Sequence, residues 1–319
     1  MKFILILFLL IGASGQIIPR EAAIYQSIFY FCAVKSKYIT EEYLDQFIEQ
    51  AFREDIGDGD HSTLSTIRGD QLGSAQLIFK ESGIAAGLFL VEEIMHRFDP
   101  DLKIEYRIKD GDWVEKGTTG LIVKGKIRSI LSTERVVLNC LQRLSGIATK
   151  THELVQMVKG TGVQLLDTRK TTPGWRSLEK WAVEIGGGKN HRFGLFDMIM
   201  LKDNHIDYAG GITKAVSDVR NYLKEKGKDL RIEVETRNIE EVKEALENHV
   251  DVIMLDNMSP GEIRDALKII DKRAETEASG GITESSLREY AETGVDYISI
   301  GALTHSVKSL DISLKAVFL

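Results

Sequence analysis

Residues 252–281 read VIMLDNMSPGEIRDALKIIDKRAETEASGG, and this stretch decides the fold class. It begins with an apolar run of strand length, Val252–Leu255, followed by an amphipathic helical segment at Pro260–Ile270 and a short strand at Glu277–Ala278. Two strands joined by one helix predict a parallel β–α–β unit. The apolar first strand fits this prediction, because a parallel strand is buried on both faces.

The same alternation continues on both sides of this unit. A series of strands separated by helices predicts a parallel sheet. The further predicted strands are Val163–Leu166, Met198–Leu201, Ile232–Val234 and Tyr297–Ile300, and the further helices are Ile239–Leu246 and Glu284–Glu292.

The N-terminal half has a different pattern, in which glycines separate short apolar runs. It is predicted to be a strand-rich region. The glycine spacing also resembles a swinging-arm domain, but no lysine is centred in the expected turn. The predicted elements are a helix from Thr40 to Arg53, a loop at Asp55–Ser62, strands at Gln76–Phe79, Lys103–Ile108 and Gly120–Val123, and a helix at Ser132–Val158.

The N-terminal segment 1–37 lies outside both predicted domains. A positive charge, the apolar run Phe3–Ile11 and small residues form a signal-like pattern that is too short for a confident membrane span. It is either an export signal or an over-long start ahead of Tyr38. The net charge of −7 disfavours a nucleic-acid partner, and the two cysteines suit a reducing compartment. We therefore expect a cytoplasmic protein without stable membrane association.

Every predicted strand of the C-terminal half ends in polar residues or glycine. Because the carboxyl ends of parallel strands meet at one mouth of a barrel, we expect a single active site there. These ends are Asp167-Thr168-Arg169-Lys170, Lys202-Asp203-Asn204-His205, Glu235, Asp256-Asn257, Ser279-Gly280-Gly281 and Gly301-Ala302.

The side chains at this mouth indicate the ligand. A concentration of cations calls for a ligand with several negative charges, and guanidinium groups suit carboxylates and phosphates. The late glycines predict a phosphate site. Glu235 and Asp256 predict either a Mg²⁺ site or stabilisation of a cationic transition state. The cationic and donor groups are Arg169, Lys170, His191, Arg192 and Lys202.

Several long motifs resemble the quinolinate phosphoribosyltransferases. Residues 166–205, LDTRKTTPGWRSLEKWAVEIGGGKNHRFGLFDMIMLKDNH, are similar to the central block of that family. Shorter matches are ERVVLNCLQRLSGIAT from Glu134, IEVET from Ile232, IMLDNMSP from Ile253, EASGGI from Glu277 and ISIGALTHS from Ile298. The resemblance implies an N-terminal open-faced α/β sandwich over residues 38–148, to which residues 306–319 return. It also implies an incomplete α/β barrel over residues 149–305, and homodimers with shared active sites.

The resemblance also implies substrates and residue roles. The enzyme would transfer phosphoribose from PRPP to quinolinate with decarboxylation, using Mg²⁺ and no organic cofactor. Lys170, Lys202, Glu235 and Asp256 would be catalytic, the last two facing the ribose and Mg²⁺. The carboxylates of quinolinate would contact Arg169, His191, Arg192, Lys202 and, from the partner subunit, Arg135, with Thr168 and Lys170 nearby. The 5-phosphate of PRPP would contact Ser279, Gly280, Gly281, Ile300, Gly301 and Ala302.

Two other enzyme classes fit parts of this pattern. One is a paralogue of the same fold that is linked to molybdenum-transport operons, but the TRK, NHR and LKDNH motifs favour the quinolinate enzyme. The other is a Schiff-base aldolase with Lys202 as the nucleophile. That lysine would need a non-cationic pocket, which the neighbouring arginines do not provide.

Overall fold

The computed structural model describes residues 37–317. The predicted N-terminal segment 1–37 therefore lies outside the described residues, apart from Lys37. The helices are α1 (Glu41–Asp55), α2 (His61–Thr66), α3 (Leu88–Phe98), α4 (Ile127–Met157), α5 (Arg176–Ile185), α6 (Asp203–Ala209), α7 (Ile212–Lys226), α8 (Ile239–Glu247), α9 (Pro260–Ile270), α10 (Glu284–Ala291) and α11 (Ala302–His305).

The strands form three sheets, all within the compact part of the chain that begins at Gln46. They are β1 (Leu72–Phe79), β2 (Gly83–Ile84), β3 (Lys103–Tyr106), β4 (Trp113–Val114), β5 (Thr119–Lys126), β6 (Gln164–Leu166), β7 (Ile199–Leu201), β8 (Ile232–Thr236), β9 (Val252–Asp256), β10 (Glu275–Ser279), β11 (Tyr297–Ser299) and β12 (Ile312–Val317).

The first sheet is antiparallel and has the strand order β12-β1-β5-β3. Strand β1 alternates as a half-buried strand should, with Ala75, Leu77 and Phe79 buried on one face. The C-terminal strand β12 completes the sheet by pairing with β1, so that Phe79 lies opposite Ile312. A separate antiparallel pair is formed by β2 and β4.

The second sheet is parallel and has the order β6-β11-β10-β9-β8-β7. Strand β8 is buried along its whole length, as expected for a strand covered on both faces. Because β6 and β7 are edge strands that do not pair with each other, the sheet is an incomplete barrel. The predicted fold class is therefore confirmed.

The helices around this sheet begin at strong capping signals. The Ser259 hydroxyl accepts a hydrogen bond from the Glu262 backbone, and the Glu262 carboxylate accepts one from the Ser259 N–H at 2.8 Å, with Pro260 in the first helical turn. Asn238 caps α8 by accepting from the Glu241 N–H at 3.0 Å. These caps fix the loops that follow β8 and β9, where the polar strand-end residues lie.

The structure corrects several predicted boundaries. The predicted loop at 55–62 is shorter, because Asp60 caps a helix that starts at His61 by accepting from Thr63 N–H at 3.0 Å. Helix α4 starts at Ile127 instead of Ser132, and α3 was not predicted. Among residues 37–317, no helix combines the length and apolar character needed to cross a bilayer.

Helix α4 packs closely enough on the C-terminal segment to require glycine at position 146. A Cβ atom there would lie 2.3 Å from the carbonyl oxygen of Lys308. Although alanine is the better helix former, we expect Gly146→Ala to lower the free energy of unfolding by about 1–3 kcal/mol because of this overlap. Chemical denaturation measures the effect.

The matched control for this prediction is Gly261→Ala, in the exposed first turn of α9. The nearest atom to a Cβ there would be the Ser259 hydroxyl at 3.9 Å, so we expect no loss of stability. Equal stability of the Gly146→Ala protein and the wild type would show that the packing does not need glycine.

Candidate active site

The residues that end or follow the six parallel strands lie at the carboxyl-terminal end of the second sheet, which is called the sheet edge below. The register places Glu235 opposite Met254 and Ser279 opposite Asp256. The polar residues predicted at the strand ends therefore follow neighbouring strands at one edge. In chain order these ends carry Thr168 to Lys170, Lys202, Glu235, Asp256, Ser279 to Gly281, and Ile300 to Ala302.

Two carboxylates and one lysine form the acidic side of this edge. Lys202 Nζ lies 2.7 Å from Glu235 Oε2. Burial, and then the charge of Glu235, raise the pKa of Asp256, so the two carboxylates repel each other. The Lys202 Nζ is held in an ion pair, so it is not a free nucleophile for Schiff-base chemistry. This arrangement is suited to holding a cation or a positively charged transition state.

Two arginines form the basic side. Burial, and then the nearby charge of Arg169, lower the pKa of Arg192. Arg192 also donates to the carbonyl of Met198 at 3.3 Å, whereas Arg169 is exposed. Two guanidinium groups that repel each other at a partly buried edge would be stabilised by an anion between them.

The loop with Arg169 and Lys170 is held by residues that the sequence analysis did not select. Buried Glu179 of α5 accepts from Arg143 Nη2 at 2.9 Å and from the Thr172 hydroxyl at 2.8 Å. The Thr304 hydroxyl donates to the carbonyl of Lys170 at 2.8 Å. The loop is thereby fixed to α4, α5 and α11. The positions of Arg143 and Glu179 in the sequence did not indicate this role.

The loop after β10 needs glycine at position 280. Gly280 has φ +90°, and a Cβ atom there would lie 2.2 Å from Asn257 Oδ1. The Asn257 N–H donates to the Ser279 carbonyl at 2.8 Å, which holds the loops after β9 and β10 together. A Cβ at Gly301 would lie 3.1 Å from the Lys170 side chain, so the loop after β11 adjoins the basic loop. The backbone can therefore approach a bound anion closely.

His191 differs from the expectation that its ring faces a ligand. The Arg192 N–H donates to its Nδ1 at 2.7 Å, and its Nε2 lies 3.1 Å from Glu233 and 3.4 Å from Glu277. Burial lowers the pKa of His191, but the two carboxylates outweigh burial and raise it to about 10. Nε2 carries a proton in both forms of the ring and faces the two carboxylates, whereas Nδ1 can accept from the Arg192 N–H only in the neutral form.

These three side chains also satisfy the distance criterion for a metal site. Their ligand atoms in His191, Glu233 and Glu277 lie within 4.8 Å of one another. However, a protonated Nε2 has no lone pair for a metal ion. We therefore interpret the cluster as an ion-paired support for the segment that precedes Arg192.

Arg135 lies apart from this network. It is exposed on α4, and within residues 37–317 no hydrogen bond or ion pair joins it to the strand-end residues. Exposure of this kind is typical of an arginine on a protein surface.

The chain matches both domains of one protein family. Residues 60–145 match the model described as "Quinolinate phosphoribosyl transferase, N-terminal domain", and residues 147–315 match its C-terminal domain. A relative from Nicotiana tabacum, "Quinolinate phosphoribosyltransferase [decarboxylating] 1b", is 50% identical over 284 residues, covering 84% of this chain and 81% of the relative.

Another relative and a solved structure give the same result. A Bacillus subtilis protein, "Probable nicotinate-nucleotide pyrophosphorylase [carboxylating]", is 46% identical over 271 residues, which are 85% of this chain and 92% of the relative. The crystal structure of NadC from Streptococcus pyogenes superposes with a TM-score of 0.84 at 39% identity, covering 89% of this chain and 100% of that one. The chain therefore belongs to the quinolinate phosphoribosyltransferase family.

Proposed function

We propose that this protein transfers the phosphoribosyl group of PRPP to quinolinate and releases pyrophosphate and CO₂, forming nicotinate mononucleotide for NAD synthesis. The observation that carries the proposal is the meeting of opposite charges at one sheet edge. Arg169 and Arg192 lie close enough to repel each other, while Lys202 pairs with Glu235 beside Asp256. One side suits a dicarboxylate, and the other suits a cationic ribosyl centre.

Quinolinate is placed on the basic side. Arg169 and Arg192 bind its two carboxylates together with Lys202 from the acidic side, and Thr168 and Lys170 lie beside them. His191 lies directly before Arg192, and its ring is held by buried carboxylates. It supports this group from within the protein.

PRPP is placed along the later strands. Its 5-phosphate binds to backbone N–H groups of the loops after β10 and β11, where glycine permits close approach. Its ribose faces Glu235 and Asp256. The phosphate-binding residues are Ser279, Gly280, Gly281, Ile300, Gly301 and Ala302.

Mg²⁺ fits the two carboxylates at this edge. Glu235 and Asp256 supply hard oxygen ligands, and the repulsion that raises the pKa of Asp256 is what a cation would relieve. One Glu235 oxygen is already paired with Lys202. Glu235 and Asp256 would therefore hold Mg²⁺ either directly or through oxygens of PRPP. When bound, Mg²⁺ would neutralise the charge of the pyrophosphate leaving group.

The reaction follows from these positions. The pyridine nitrogen of quinolinate forms a bond to the anomeric carbon of PRPP while the bond to pyrophosphate breaks. Positive charge that develops on the ribose is stabilised by Glu235 and Asp256. The pyridinium product then accepts the electron pair released when the adjacent carboxylate leaves as CO₂, and a proton takes its place.

The assembly and the compartment are part of the same proposal. We place Arg135 in the active site of a partner subunit, which makes the enzyme a homodimer with shared sites. We also place the reaction in the cytoplasm, where PRPP is available.

Substrate selectivity tests the dicarboxylate site. Nicotinic acid lacks the 2-carboxylate, so it would leave part of the cationic group at the site unpaired. We expect its kcat/KM with PRPP to be at least about 10- to 100-fold below that of quinolinate, since a charge-assisted hydrogen bond contributes about 1.5–3 kcal/mol. Product formation from each acid, measured by chromatography, decides this. Equal turnover of nicotinic acid would refute the assignment.

A further inference from the structure

A buried ion pair lies directly beneath the basic side of the site. Lys180 of α5 has only 2% of its side chain exposed, and Asp167, at the end of β6, has none. Lys180 Nζ donates to Asp167 Oδ1. Burial raises the pKa of Asp167 to about 6 against the opposing charge of Lys180. Removing two charges from water costs free energy, so we expect the pair to have a role besides packing.

Both members of the pair bind the peptide groups of one residue. Asp167 Oδ1 accepts from the His191 N–H at 2.9 Å, and Lys180 Nζ donates to the His191 carbonyl at 3.0 Å. The backbone before His191 is also fixed. The Lys189 N–H donates to the carbonyl of Leu165 at 2.8 Å, and the Lys189 carbonyl accepts from the Asp167 N–H at 3.1 Å.

The position of the His191 backbone therefore determines the position of the next residue, Arg192. The Arg192 N–H is bonded to the His191 ring, which two glutamates hold, and the Arg192 side chain is partly buried near Arg169. A shift of the His191 peptide would move the guanidinium of Arg192 relative to the other cations. Charge-assisted binding of a planar carboxylate depends on such positions.

We propose that Lys180 and Asp167 are positioning residues that clamp the His191 peptide and thereby align Arg192 for the carboxylates of quinolinate. This inference rests on the proposed function, since it assigns quinolinate to Arg192. The pair makes no contact with substrate, and its effect is confined to the basic side of the site. Binding of PRPP at the later strands does not depend on it.

The test uses the full-length double variant Lys180→Met/Asp167→Asn. Methionine matches the length of lysine without its donor, and asparagine keeps an oxygen that can accept from His191 N–H. Removing both charges avoids the unpaired carboxylate that Lys180→Met alone would bury. The matched control is Asp99→Asn, which removes another buried carboxylate, bonded to the Ser129 hydroxyl at 2.6 Å in the N-terminal half.

Hydrogen–deuterium exchange of residues 186–194 in ligand-free protein is the first measurement. We expect faster exchange there in the double variant than in the wild type or the Asp99→Asn control. This result does not depend on any substrate. Unchanged exchange in this segment would overturn the clamp, whatever reaction the protein catalyses.

Ligand binding is the second measurement. We expect the Kd for quinolinate to rise about 10- to 100-fold in the double variant, while the KM for PRPP changes by less than about twofold. Quinolinate binding as tight as that of the wild type would overturn the positioning role while leaving the proposed function intact. A wild type that binds no quinolinate would instead refute the proposed function. A double variant that unfolds at the assay temperature would also contradict the inference, because it assigns the pair a local role.

Discussion

Replacing Lys202 by methionine should lower kcat/KM for quinolinate and PRPP by about 10²–10³-fold, the size of effect found when one preorganised charged or donor group is removed from an active site. Lys202 Nζ lies 2.7 Å from Glu235 Oε2. Without this ammonium, Glu235 and Asp256 would leave uncompensated negative charge at the edge where a polyanionic substrate binds. Steady-state kinetics with both substrates varied would measure the loss.

Lys214→Met provides the matched control for Lys202→Met. Lys214 also pairs with a carboxylate, Asp218, at 2.5 Å, but on the exposed surface of α7. Exposed pairs contribute little, so we expect the activity and stability of this variant to be unchanged. An active Lys202→Met enzyme would show that the sheet edge is not the reaction centre.

The second large effect concerns Arg135. We expect Arg135→Ala to lose most of its activity with quinolinate while keeping its fold, because the proposal places this side chain in the partner's site. Mixing Arg135→Ala with Lys202→Met should restore activity. In a heterodimer one site carries both substitutions and the other carries neither, so random exchange restores up to about a quarter of the sites.

Subunit exchange has to be established for this complementation to be informative. A tracer-labelled subunit that appears in mixed dimers shows exchange directly. If exchange occurs and no activity returns, Arg135 acts within its own subunit or has no role in substrate binding. An Arg135→Ala enzyme with wild-type kinetics would rule out a role in substrate binding without any mixing.

The parallel sheet could be predicted because its strands are short apolar runs that end in turn residues. Strands β8 and β9 appear where IEV and VIML predicted them, extended only by the polar residues Glu235-Thr236 and Asp256. These extensions were missed because a carboxylate at a strand end breaks the apolar pattern. Helix α3 was missed because its apolar residues Leu88 to Val91 read as a run without helical spacing.

The set of residues at the sheet edge could be predicted for the same reason, since parallel strands bring their carboxyl ends together. The partners of those residues could not be predicted in this way. Glu179, Lys180 and Arg143 lie on helices at ordinary positions, and only the fold brings them to the loops that they support. The roles of the individual site residues and the domain boundary at residue 148 stay predictions.

The orientation of His191 could not be predicted from the sequence. The family resemblance implied that its ring contacts a carboxylate of quinolinate. The structure turns Nε2 toward Glu233 and Glu277, which are buried on β8 and β10. A pattern of apolar residues identifies the buried positions of a strand only when those positions are apolar. It therefore does not identify a buried glutamate.

The fate of one carbon atom tests the central claim most directly. Quinolinate labelled at its 2-carboxylate is incubated with the purified protein, PRPP and Mg²⁺, and the nucleotide, pyrophosphate and CO₂ are quantified. We predict that labelled CO₂, pyrophosphate and unlabelled nicotinate mononucleotide form in equal amounts, and only when PRPP is present. Label retained in the nucleotide, or no PRPP-dependent release of labelled CO₂, would contradict the account.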